Sequence, residues 1–111
     1  MGAIAAVMIH VSDVPGALAW YRRAFPDAVP TRDAAAEFDY LTLHDVALEI
    51  VPADAKVGSG PSGSVVYWNV ADFAATLAHL VAVGARLHRG PLAIGAGRVM
   101  CQVRDPWNNC I

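Results

Sequence analysis

Two stretches of the chain carry apolar residues at helical spacing. Val14, Leu18, Tyr21 and Phe25 make one stripe, and Phe73, Leu77 and Leu80 make a second. Each stripe is preceded by Val-x-Asp, and the two aspartates, Asp13 and Asp72, stand 59 residues apart, about half the chain. Aspartate just ahead of an apolar-periodic run predicts an N-cap, its carboxylate accepting from free first-turn amides. Pro15 suits a first turn, where its missing N–H has no helical acceptor to lose. Pro26 ends the first predicted helix, and Gly84 ends the second as a left-handed cap.

Short apolar runs precede each helix, at residues 5–11 and 64–70, and read as strands. After the first helix, residues 37–43 and 46–51 predict a hairpin closed by the two-residue turn His44-Asp45. After the second come a short strand at 85–88, a strand at 97–103, a turn at 105–108 and a final strand cut short at Ile111. Residues 52–63 are rich in Gly, Pro and Ser and read as a linker. The expectation is an α+β domain of two tandem βαβββ modules forming a cupped mixed sheet. Module one spans residues 1–51 and module two residues 64–111. A half of this kind cannot cover its own sheet, which accounts for the repeat.

Composition narrows the setting. The chain has 111 residues, is 56% hydrophobic and 16% charged, and has a mean hydropathy of +0.40. That describes one globular domain with a core, not a disordered chain. A net charge of −2 gives no field for nucleic acid or anionic lipid. The early apolar run at residues 3–9 is too short to span a bilayer and lacks the cationic start of a secretory signal. The expected location is the cytoplasm. Cys101 and Cys110 have no partner at metal-site spacing and read as reduced, buried residues.

The residues 10–26 stretch, with its Val-x-Asp, helix and Trp20-Tyr21 pair, resembles the opening of the glyoxalase/bleomycin-resistance/dioxygenase superfamily, also called vicinal oxygen chelate. Residues 47–50 resemble the fourth strand of that family's first module, and residues 103–109 its closing turn. The resemblance covers essentially the whole chain. It implies a small-molecule cup and a homodimer, but not a reaction, because the fold hosts isomerases, lyases, thiol transferases, dioxygenases and drug binders.

Alternation assigns faces to the predicted strands. Leu41, Leu43, Val46, Leu48 and Ile50 share an aliphatic face, as do Val7, Ile9 and Val11. The opposite face carries Met8, His10, Phe38, Tyr40, Thr42 and Glu49, with Tyr40 set against Glu49. In the second module Tyr67 and Asn69 have the equivalent role. On the last long strand Val99, Cys101 and Val103 are core-like, leaving Met100, Gln102 and Arg104. Such a mixed face, with aromatic and apolar groups and few polar ones, suits a small-molecule groove. Met8, Tyr40, Thr42, Tyr67, Asn69, Gln102 and Arg104 are its candidate ligand-binding residues, with Trp107 at the rim or packed on the neighbouring module.

In metal-dependent members the resemblance implies a ligand seven residues before each capping aspartate. Those positions hold Ala6 and Val65 here. Glu49 matches the fourth-strand ligand, and the last ligand position would fall beyond Ile111. No metal or other cofactor is therefore expected; a rebuilt divalent site could use only Glu49 and His10. His44, His79 and His88 read as surface residues. Glu49 and His10 are the candidate acid/base groups, and Glu49 could instead anchor a ligand or hold the scaffold through Arg104. The leading expectation is a metal-free small-molecule binder. The alternative is a metal-dependent or acid/base enzyme of the glyoxalase or extradiol dioxygenase type, and a purely structural or interaction module is a third.

Overall fold

The Asp13 carboxylate accepts from the Gly16 amide at 3.1 Å and starts the first helix, α1 (Val14–Ala24). A Cβ at Gly16 would meet that carboxylate as it stands, so a larger residue there would make the Asp13 side chain shift. Asp72 does the same for α2 (Phe73–Ala82), accepting from the Ala75 amide at 3.0 Å. Gly84, at φ +108°, ends α2, and the Ala85 amide reaches the Leu80 carbonyl at 2.9 Å. Both repeated aspartates are helix caps, as their spacing from the apolar stripes predicts.

This computed structural model describes residues 4–62 and 65–111. The chain divides into two compact units, Met1–Ser59 and Gly60–Ile111. The division falls inside the Gly/Pro/Ser-rich segment at residues 52–63.

The first unit runs β1 (Ala6–Val11), α1, β2 (Val29–Asp33), β3 (Phe38–Leu43) and β4 (Val46–Pro52). Its sheet has the order β1-β4-β3-β2, with β1 parallel to β4 and the other pairs antiparallel. The architecture is therefore α+β with a mixed sheet. The His44-Asp45 turn forms as predicted, with His44 at φ +52°. It fixes the register Leu43 to Val46, Thr42 to Ala47 and Leu41 to Leu48. Leu41, Leu48 and Ile50 are buried, and so are Ile9 and Val11 on β1. Helix α1 packs on β3 and β4. It buries Ala17, Trp20, Tyr21 and Ala24. The Trp20 and Tyr21 rings meet edge to face at 4.8 Å, and Phe25 stacks on Tyr21 at 6.2 Å.

Strand β2 completes the βαβββ order expected of the first module, but its position was not among the strands read from the sequence. Its sequence, VPTRD, alternates poorly and four of its five residues are exposed. Among the described strands it is an edge, paired with β3 alone, so Pro30 costs it no ladder bond on the open side.

The second unit holds α2, β5 (Arg86–Gly95) and β6 (Arg98–Arg104), the two strands forming an antiparallel pair. Here three expectations need correction. Residues 65–70 form no strand; Tyr67 and Asn69 are exposed and the other four half-buried, but none of the described strands pairs with them. Gly63 and Ser64, the rest of that linker and expected strand, lie outside the described residues. Alternation alone does not make a strand when the backbone lacks a partner. The strand expected at 85–88 instead runs ten residues, to Gly95. Val99, assigned to the core, is 45% exposed, whereas Val103 is buried.

Irregular pairing explains the missed length of β5. Leu87 pairs with Val103, Arg89 with Gln102 and Leu92 with Met100, so β5 gains an extra residue at each step. Gly90 sits in the second bulge at φ +85°, where a Cβ would lie 2.9 Å from the Met100 carbonyl oxygen. The turn predicted after β6 forms around Asp105, which is 1% exposed. Its Oδ1 accepts from the Trp107 and Asn109 amides at 2.9 and 2.8 Å. The chain then returns along β6, Val103 and Ile111 exchanging two backbone bonds. No described helix is long and apolar enough to cross a membrane.

Leu48 lies on the central strand of the first sheet and is 2% exposed. Leu48→Ala is expected to cost about 2–5 kcal/mol in urea unfolding. Val46→Ala, a half-buried position on the same face, is expected to cost less than half as much.

Candidate functional site

One face of the first sheet is sealed by its own aliphatic residues and α1; the other presents the predicted mixed set. The parallel register places Met8 beside Glu49 and His10 beside Val51. Tyr40 pairs with Thr31 on the far side. One step beyond the Leu41–Leu48 pair, the same register sets Tyr40 against Glu49. Met8, Glu49, Tyr40 and Thr31 thus form one row across all four strands, roughly 14 Å long at about 4.8 Å per strand. Met8 is 58% exposed, while Glu49 and Tyr40 are half-buried.

Beside this row Phe38 stacks on Tyr40 at 6.1 Å, and the Thr31 and Thr42 hydroxyls are hydrogen-bonded at 2.8 Å. A carboxylate lies between a thioether and a phenol, with aromatic surface alongside. That set can hold an ammonium or hydroxyl group while an apolar body rests on the rings. Thr31 belongs to the row but was not foreseen, because the exposed edge strand that carries it gives no alternation signal.

His10 occupies the same face, one pleat repeat along from Met8. Near it the strand β4 runs out into a loop tied by Asp54, whose Oδ1 accepts from Lys56 and Val57 amides at 2.8 and 2.9 Å. Those amides, Val57 first, hold the Asp54 carboxyl below the ordinary aspartate range, with a small further pull from His10.

In the second unit the Gln102 side-chain amide donates to the Tyr67 hydroxyl at 2.7 Å. The Cys110 thiol donates to the Gln102 side-chain Oε1 at 3.4 Å. Arg104 donates from Nη1 to Asn108 at 2.9 Å. Tyr67, Gln102 and Cys110 therefore form a chain, as Arg104 and Asn108 form a pair. Asn69 is exposed and Trp107 half-buried, its amide donating to Asp105. Burial pushes the Cys101 thiol up, away from thiolate chemistry.

His44, His79 and His88 are exposed, on the hairpin turn, on α2 and on β5 respectively. Among the described residues no three His, Cys, Asp or Glu side chains gather as a metal site would require. The Ala6 and Val65 side chains offer no donor atoms, so Glu49 and His10 fall at least two ligands short of a four-coordinate site and further short of an octahedral one. A depression of about 510 Å³ lies elsewhere, at the end of α1 and the start of β2. It is lined by Arg22, Arg23, Pro26 and Pro30 among others and includes none of the residues above.

The fold has solved relatives. A glyoxalase-related enzyme from Fulvimarina pelagi is 19% identical, with a TM-score of 0.76, covering 99% of this chain and 85% of its own. TnmS3, an antibiotic-binding protein from Streptomyces sp. CB03234, is 20% identical at a TM-score of 0.72, covering 99% and 92%. A glyoxalase/bleomycin resistance protein from the same Streptomyces is also 20% identical, at 0.71, covering 97% and 96%. No curated relative matches the chain. A family model matches residues 3–111, nearly the full length, and with it the chain belongs to the Glyoxalase/Bleomycin resistance protein/Dioxygenase superfamily.

Proposed function

We propose that this protein is a small-molecule binder that works without a bound metal. The observation that carries the reading is the row Met8–Glu49–Tyr40–Thr31 on the unsealed face of the first sheet. A solvated sheet face ordinarily carries Lys, Glu and Thr. This one joins the Glu49 carboxylate to a thioether, stacked aromatic rings and two hydroxyls, while Asp33, opposite Phe38 at its rim, accepts from the Ala35 and Ala36 amides. The antibiotic-binding relative supports the same reading, since its fold is used for binding. Glu49 anchors a cationic or hydroxyl-bearing group, and Met8, Tyr40 and Phe38 hold the apolar part. The missing donors at Ala6 and Val65 support metal independence. The free thiols of Cys101 and Cys110 support a reducing, cytoplasmic setting.

The reading includes a homodimer. Among the described residues, strands β1 and β2 end the first sheet, each paired on one side. Ile94 and Val99 of the second unit are 49% and 45% exposed. Open edges and apolar side chains of this kind favour self-association. Light scattering at micromolar concentration is expected to give twice the chain's 11.7 kDa, and a monomer mass would refute the dimer.

Glu49→Gln keeps shape and removes charge, so it separates binding from scaffolding. In a thermal-shift panel of aromatic amines and polyols, the tightest compound is expected to lose about tenfold in affinity with the variant. The unliganded melting temperature should move by no more than about 2 °C. A large fall in melting temperature with unchanged affinity would assign Glu49 to the scaffold. Protein purified without chelator is expected to hold no stoichiometric metal; one equivalent of Zn, Ni, Mn or Fe lost on Glu49→Gln would favour the enzyme reading.

A further inference from the structure

The charges of this chain are unevenly shared. Residues 1–59 hold eight carboxylates and four basic side chains; residues 60–111 hold four arginines and only two aspartates. All four arginines, Arg86, Arg89, Arg98 and Arg104, lie on the β5–β6 hairpin. Both aspartates of that unit are committed elsewhere. Asp72 caps α2, and Asp105 accepts from Trp107 and Asn109 in its turn. Among the described residues no ion pair joins any of the four arginines to a carboxylate.

The bulges gather these arginines. In a regular strand Arg86, Arg89 and Leu92, three residues apart, would alternate between faces. The extra residues at the two bulges reset the phase. Arg86 therefore pairs with Arg104, Arg89 with Gln102, and Leu92 with Met100. Directly paired residues share a face. Arg98, two residues before Met100 on β6, continues the same face. It therefore presents four guanidinium groups, with Leu92 and Met100 as apolar surface between them.

A second observation points to a ligand. Arg104 Nε is buried and has no hydrogen-bond partner, although its Nη1 is satisfied by Asn108. A buried donor on a cation is costly to leave unmade. Next to it, Gln102 donates to the Tyr67 hydroxyl, so the phenol proton is left to donate outward from an exposed ring. The face thus offers the exposed guanidinium groups of Arg86, Arg89 and Arg98 and the Tyr67 phenol as donors, and neither aspartate of the second unit is free to compete.

We propose that this hairpin face binds a small organic anion, a carboxylate or phosphate on an apolar body. Guanidinium forks match both groups in geometry. The chain's net charge of −2 and the acidic first unit disfavour a polyanion such as nucleic acid. The site shares no residue with the Glu49 row, and its readouts are on residues of the second unit, so either proposal can fail alone.

The test is a ¹H–¹⁵N titration of the full chain with hexanoate and with hexyl phosphate, using hexylammonium as the charge-reversed control. Either anion is expected to shift the Arg104 Nε–H and Gln102 side-chain amide signals saturably, and the tighter of the two names the group. Arg104→Gln should abolish the shift of the Gln102 side-chain amide. Because Arg104 also braces the Asn108 turn, Arg89→Gln, at an exposed position, serves as the second variant and should weaken binding about three- to tenfold. Unmoved signals, equal shifts with hexylammonium, or full affinity in Arg89→Gln would overturn the proposal. So would a DNA duplex moving the same signals at lower concentration than either anion.

Discussion

The pairing of Leu41 with Leu48 across the His44-Asp45 turn sets what the first unit can be. Side chains alternate along each strand, so this register decides which set is buried. It sends Leu41, Leu48 and Ile50 to the core and leaves Tyr40, Thr42 and Glu49 on the other face. A slip by one residue would bury Glu49 without a partner and expose the aliphatic set. Such a burial costs several kcal/mol per charge, on the order of the stability of a whole small domain. The two-residue turn therefore specifies both the core and the candidate site.

Parallel addition of β1 extends the same logic. Once β4 is in register, Ile9 falls beside Ile50 in the core and Met8 beside Glu49 on the open face. Thr31, on β2, completes the row from the opposite edge. No single segment contains the candidate row; it is assembled across four strands from positions that are far apart in sequence.

The first unit was legible because its signals are local and repeated. Asp13 and Asp72 mark helix starts by capping chemistry, and the hairpin carries clean alternation on both strands. The edge strand β2 was not legible, since exposed residues and Pro30 erase the pattern. In the second unit, residues 65–70 alternate as a strand would but lack a backbone partner among the described strands. Strand β5 was hidden by its bulges, which break the two-residue period that identifies a strand. Gly90-Pro91 in the middle of a mostly apolar and basic run was the available signal, because glycine inside a strand marks a bulge. The same bulges decide which arginines share a face, so the basic patch of β5 and β6 was not visible from the sequence.

The central claim is that the unsealed face of the first sheet is where a ligand sits. Methyl NMR of the unmodified protein tests it most directly, with Met8 as a reporter inside the row and Leu48 and Ile50 as reporters beneath the sheet. With an aromatic amine added, the account predicts a saturable shift of the Met8 methyl and much smaller changes at Leu48 and Ile50. A Met8 methyl that stays fixed while the amine binds elsewhere on the chain would contradict it.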